Sequence, residues 1–326
     1  MSLAQKNFKT ALISLIVSVI VLALKTKAYY DTHSVGVLSD ALETVVNVIT
    51  ALVALYAVKL AAEPADENHP YGHGKMEYFS AAFEGGLIFF AALAILYKSA
   101  EAFFFGSHVE NIDAGMISLT VATALNLVTG LHLLFAGRAQ KSEALKASGK
   151  HVLSDVITTI GVGLGLLLVQ WTGIYWIDSV VGFIVGLWLG YEAYKIVRSN
   201  SAALLDETDE ASLSELARII AKYRTSAVID IHNLRMIRSG NFHHIDAHLV
   251  VPEFWDIHQA HTMAHEFELK VVKDYQYDGE FAFHMDPCQR RFCRACSLEV
   301  CALRQAPFEA SRDLTKEHMK QGPQYY

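Results

Sequence analysis

Residues 150–169 read KHVLSDVITTIGVGLGLLLV, and this stretch decides the fold. It is apolar enough to sit in hydrocarbon, yet it begins with a histidine and, four residues later, an aspartate. A charged group near the bilayer centre costs at least about 2.5 kcal/mol, so such groups face an interior and mark an ion or proton path. Residues four apart share a helix face. His151 and Asp155 therefore stand as an imidazole and a carboxylate side by side.

The rest of the chain supplies the setting. Hydrophobic residues make up 52% and charged residues 19% of the 326, a membrane-like balance. Six apolar runs fall at roughly 8–28, 37–62, 78–105, 113–138, 147–171 and 175–198, each at or above the ~20 residues that span a bilayer. The first lacks a small-residue cleavage site and outruns a signal peptide's apolar core, so it reads as a retained span. Lysine and arginine set the orientation. Lys6, Lys9, Lys59, Lys75, Arg138, Lys141, Lys146, Lys150, Lys195 and Arg198 lie on one side, against Lys25, Lys27 and Lys98 on the other. Both termini are expected in the cytosol. The net charge of −7, with no basic cluster, excludes a nucleic-acid role.

After about residue 205 the pattern changes. EASLSELARIIAKYR (210–224) carries a helical stripe at Leu213, Leu216, Ala217 and Ile220, and VIDIHNLRMI (228–237) is β-rich. SGN (239–241) is a turn, FHHIDAHLVV (242–251) is β-like, DIHQAHTMAHEFELKVVKDY (256–275) is helical and EFAFHMD (280–286) is a short strand. The expected architecture is an α-helical membrane protein with six transmembrane helices plus a cytosolic α+β domain of order α-β-β-α-β. The domains divide as 1–204, 205–287 and a cysteine-containing tail, 288–326.

Polar residues inside the apolar runs carry the chemistry. Asp40, Glu43, Thr44 and Asn47 fall near one face of the second run. Two helices that each offer two ligands can build a tetrahedral site of nitrogen and oxygen donors, which suits a divalent first-row metal, zinc above all. Glu84, Asn126 and His132 stand alone on their helices and read as packing or interhelical hydrogen bonds. In the loop PADENHPYGHGK (64–75), Asp66, His69 and His73 have metal-ligand spacing. Eight of the fifteen histidines lie between 232 and 284. His244 and His248 share a strand face, and His258, His261 and His265 form a helical stripe. His243, His258 and His265 read as surface residues. HEFEL (265–269) lacks the second histidine of a metalloprotease helix, so no enzyme is expected.

PADENHPYGHGK after the second span, HVLSD on the fifth and a cytosolic α-β-β-α-β domain ending in HMDPC resemble the cation diffusion facilitator family, over residues 1 to about 288. The resemblance implies a homodimeric antiporter that exports cytosolic divalent metal in exchange for protons. It implies a transport site of Glu43, Asn47, His151 and Asp155, with Asp40 one turn away, behind the ligands or at the mouth; at such a site His151, the imidazole, reads as the proton carrier. Asn47 stands where the family usually has aspartate. Asp66, His69 and His73 carry over as a loop site, and His232, His248, His261, His284 and Asp286 as a cytosolic one, with Met285 where some members have another ligand. Lys75 and Asp206 match a pair that locks the dimer near the membrane surface.

Zinc leads as substrate and as bound ion, with Fe2+, Co2+, Mn2+ and Cd2+ as alternatives. The partners expected are a second copy of the chain, membrane lipid, metal and H+. The short fourth-to-fifth connection, without a histidine-rich insert, favours a bacterial inner membrane. The rival reading is a membrane-bound metal sensor that does not transport. Beyond the resemblance, CQRRFCRACSLEVC places Cys288, Cys293, Cys296 and Cys301 as C-x4-C-x2-C-x4-C. This spacing is read first as a zinc site, then as free thiols or an iron–sulfur cluster.

Overall fold

A computed structural model describes residues 3–61, 63–106, 109–139 and 143–322. Lys141 and the side chains of Lys6, Lys9, Lys146 and Lys150, counted above toward orientation, lie outside the described residues, as do tail positions 323–326. The chain forms two compact units, 1–57 with 79–200, and 58–78 with 201–326.

The first unit is built from six helices: α1 (Leu3–Thr32), α2 (Val35–Ala61), α3 (Met76–Phe105), α4 (Ile112–Ala139), α5 (Glu143–Thr172) and α6 (Trp176–Leu204). Each is long and apolar enough to cross a membrane. Ile16, Phe90, Ile157, Trp171 and Leu187 stand more than half exposed on their outer faces, an apolar surface that lipid would cover and water would not tolerate. The start of α2 is held by a carboxylate from α6. Asp178 accepts from Val35 N at 2.7 Å, from Gly36 N at 3.3 Å and from Ser34 Oγ at 2.5 Å. These amides have no partner within the helix, and the helix dipole favours a negative charge there. On α6, Gly182 and Gly186 meet α3 side chains directly, and small residues at such positions let helices pack closely.

Lys25 departs from its expected place. It is not a loop cation but lies inside α1 at 1% exposure, paired with Asp40 Oδ1 at 2.8 Å.

In the second unit, α7 (Glu210–Tyr223) is followed by β1 (Asp230–Ser239), β2 (Phe242–Val251), α8 (Ile257–Asp274) and β3 (Asp278–Pro287), in the expected α-β-β-α-β order. Strands β1 and β2 are antiparallel, and β3 lies parallel to β2 on its other side. Gly240, at φ +64°, takes the first central position of the two-residue β1–β2 turn, the place a type II′ hairpin reserves for glycine. Asp209 caps α7, and Asp256 with Gln259 forms a capping box on α8. The α7 stripe Leu213, Leu216, Ala217 and Ile220 is buried against Ile245, Leu249 and Phe267.

The residues after β3 build onto the same unit. Leu314 and Met319 join its core, and the short helix α9 (Lys316–Lys320) is tied by Lys316 and Lys320 to Glu210 on α7. A bulge at Asn233, in the left-handed region at φ 54°, interrupts β1 immediately after His232. Its amide donates to Gln321 O at 2.7 Å.

Candidate metal centres

Helices α2 and α5 meet through Asn47, whose Nδ2 donates to Asp155 Oδ2 at 2.8 Å. Asn47, His151 and Asp155 line one cavity of about 140 Å3 with Thr44, Glu84 and Asn126. That volume far exceeds the ~10–15 Å3 needed for one water. Glu43 is not among the lining residues. It is 8% exposed, and its Oε2, like Nε2 of His151, has no hydrogen-bond partner among the described residues. Buried polar atoms are nearly always paired, so such atoms mark a place for an ion, a proton or a water. Among the described residues, no three acidic or histidine ligand atoms gather here within 4.8 Å.

The neighbouring polar groups are already engaged. Thr44 Oγ1 donates to Asp40 O at 2.9 Å within its own helix. Asp40 is neutralised by Lys25 and also accepts from Thr159 Oγ1 at 2.8 Å. Glu84 and Asn126, read from the sequence as lone packing residues, instead share the cavity with His151. The signal for them was present: each is a polar residue well inside an apolar run. Only the fold shows that α3 and α4 aim them at the same space. His132 is exposed on α4.

The loop group is compact. Asp66 turns the chain by accepting from the amides of Asn68 and His69 at 2.9 and 2.7 Å, and the His69 amide, first among these bonds, holds its carboxyl below the usual range. Gly72, at φ +75°, brings His73 back over His69 with ring centroids 4.3 Å apart. Ligand atoms of Asp66, His69 and His73 lie within 4.8 Å of one another, and His73 Nδ1 is buried with no hydrogen-bond partner among the described residues. This is a fitting three-ligand site for a divalent ion. Nearby, Lys75 Nζ lies 2.8 Å from Asp206, which takes the left-handed conformation at φ 58°.

The cytosolic group follows from strand register. His232, His248 and His284 are paired across β1, β2 and β3 in one row, and Val250 and Asp286 form part of the next. Side chains two apart share a face, so Asp230 and Asp286 stand beside the three rings. Asp286 Oδ2 lies 3.0 Å from His248 Nδ1 and 3.4 Å from His232 Nε2, and its Oδ1 lies 3.4 Å from His284 Nε2. Ligand atoms of His232, His248 and Asp286 fall within 4.8 Å. Burial pushes the His232 imidazole below its ordinary value, against the raising effect of Asp230 and Asp286. That direction favours the neutral ring, the form that ligates.

Several histidines are placed differently from expectation. His261 does not join the cluster within one chain: it lines a cavity with Phe281, Phe283 and Met285, the opposite face of β3 from His284 and Asp286. Met285 points the same way. His243, expected at the surface, is 2% exposed and bonded through Nδ1 to the Tyr275 hydroxyl at 2.8 Å. Burial lowers its pKa to about 4 and raises that of Tyr275 to about 12. Asp230, absent from the expected ligands, lies 3.9 Å from His232 and 2.7 Å from His318 of the tail.

The matches to known proteins agree with this arrangement. Residues 11–205 match the cation efflux transmembrane domain, and residues 208–288 match the cation efflux protein cytoplasmic domain. An uncharacterized transporter of Synechocystis is 34% identical over 86% of this chain and 90% of its own length. The cation-efflux pump FieF of Shewanella oneidensis is 27% identical over 82% and 90%. The manganese efflux system protein MneS of Bacillus subtilis is 26% identical over 88% and 98%.

Proposed function

The chain belongs to the cation efflux family of integral membrane transporters, and from that premise we propose that it exports a divalent transition metal from the cytosol in exchange for protons. The observation that carries this reading is the Asn47–Asp155 bond. It draws α2 and α5 together at a cavity that also holds His151, with a buried Glu43 carboxylate on the same helix as Asn47. Glu43 and Asp155 supply charge, Asn47 a neutral oxygen and His151 an imidazole that ligates only when neutral. Metal entering from the cytosol displaces the His151 proton. Reprotonation from the far side then helps to expel it, because a protonated imidazole has no lone pair left with which to ligate.

That Thr44 and Asp40 are otherwise engaged favours Glu43 and Asn47 as the α2 pair. Zinc heads the candidate metals because imidazole suits it, ahead of iron(II), cobalt(II), manganese(II) and cadmium(II). The manganese relative and the oxygen-rich donor set make manganese the first competitor.

The Asp66–His69–His73 and His232–His248–Asp286 groups hold resident ions that steady a homodimer of the cytoplasmic domain. His261 has no part in the second group unless a partner chain supplies it. Lys75 and Asp206 hold geometry, since an exposed pair contributes at most about 1 kcal/mol. We place the protein in a bacterial inner membrane with both termini cytosolic. Uptake of each metal into liposomes carrying purified protein tests the reading. Zinc or manganese uptake supports it, and binding without uptake of any of the five metals overturns it in favour of a sensor.

A further inference from the structure

The segment after β3 begins at Cys288, the last residue matched to the cytoplasmic domain. It carries all four cysteines of the chain, and all four are free thiols. Its only regular element before α9 is one 3-10 turn, Arg290–Phe292, yet it is folded compactly. Cys288 N donates to Val251 O at 2.8 Å, carrying the chain along the end of β2. The turn then brings Cys293 round, its amide bonding to Arg290 O at 3.1 Å. Arg304 gathers the carbonyls of Cys293 and Cys296 at 3.1 Å each and that of Leu298 at 2.5 Å. Gln305 N points at Cys293 Sγ from 3.4 Å.

Cys288, Cys293, Cys296 and Cys301 converge on a single cavity of about 20 Å3, room for one small ion and for little else. Beneath it, Phe292 and Cys296 pack on Val250 of β2 and on Ile229, the residue before β1. A structural metal orders segments of comparable length that have little regular structure of their own.

We propose that these four cysteines hold one zinc ion, which knots the C-terminal segment onto the cytosolic sheet. Four thiolates in a central C-x2-C arrangement form a closed tetrahedral zinc shell, and a cytosolic location keeps them reduced. Zinc–sulfur bonds of about 2.3 Å require the sulfurs to stand about 4 Å apart. Among the described residues no three of them lie within 4.8 Å of one another, so ligation draws the side chains inward. Binding releases the thiol protons to solvent. The knot begins two residues after Asp286, so it also anchors the end of β3 that presents this carboxylate to the histidine row.

The test uses the full chain purified in detergent without added metal. Elemental analysis should find one zinc equivalent fewer in Cys293→Ser/Cys301→Ser than in the unmodified chain. Cobalt(II) exchanged into the unmodified chain should give thiolate-to-metal charge-transfer absorbance that the variant lacks. Should the variant fail to fold, alkylation of the unmodified chain decides alone: its cysteines should resist labelling until a strong chelator is added. Prompt labelling that is indifferent to chelator overturns the site. Iron with visible absorbance in anaerobic preparations overturns the zinc assignment.

Discussion

The cytosolic sheet and the membrane cavity gather the same kinds of ligand in opposite ways. On the sheet, strand pairing alone sets His232, His248 and His284 in a row, and Asp286 reaches all three rings at 3.0–3.4 Å. Backbone hydrogen bonds hold those positions whatever the ligands do. In the membrane, Asn47, His151 and Asp155 stand around about 140 Å3 of open space, and among the described residues no three acidic or histidine ligand atoms there come within 4.8 Å. Helices can shift against one another by small translations, so such a group can close on an ion and open again. A rigid cluster suits retention, and an expandable one suits release.

The largest effect expected from this contrast is in the cavity. Asp155→Ala should abolish metal flux, a greater loss than the ~10–100-fold that follows removal of a ligand's supporting partner. Near-normal flux in a folded dimer would remove the cavity from the path. Asn47→Ala should reduce flux well beyond Thr44→Ala, because Thr44 only bonds within its own helix. The reverse order would assign the α2 ligands to Asp40 and Thr44.

Next comes the buried ion pair behind the site. Lys25→Met leaves the Asp40 carboxylate unpaired inside the helices and should cost about 3–5 kcal/mol. Thermal unfolding in detergent reads this out, and Lys25→Met/Asp40→Leu should recover much of the loss. If the double variant is as weak as the single one, the pair does more than neutralise.

The cytosolic unit should carry its own acid sensitivity. His243 titrates near 4 in the folded chain against an ordinary 6.5, so its contribution is fully present above pH 6.5 and is lost as pH falls toward 4. The span corresponds to on the order of 3 kcal/mol. His243→Gln should flatten the fall in melting temperature between those limits, and an unchanged slope would trace the acid sensitivity to other groups. The smallest effect on flux is expected from His232→Ala/His284→Ala. It should lower the metal bound per chain while leaving much of the flux, and complete loss of flux would make the sheet site obligatory.

What the sequence made legible follows physical range. Six spans were visible because each needs only its own ~20 apolar residues, and Asp66, His69 and His73 were visible because one turn contains them. The histidine row was visible only in part. Counting histidines could not tell which face of β3 His261 meets, because that depends on how α8 lies on the sheet. Lys25 was misread for a related reason: in a charge count a lysine near a helix end looks like a loop cation, and its partner Asp40 lies on another helix. Glu84 and Asn126 read as lone packing residues because their shared cavity is made by five helices at once. The tail lacks periodicity, so the burial of Leu314 and Met319 in the core left no pattern to read.

The most direct test records metal and proton movement together in liposomes holding the purified full-length chain, with the internal pH set and then clamped. The account predicts zinc or manganese uptake accompanied by protons moving the opposite way, faster when the proton gradient opposes the metal's direction of travel and absent in Asp155→Ala. Metal uptake at the same rate with and without a proton gradient, and with no proton counterflow, would contradict it.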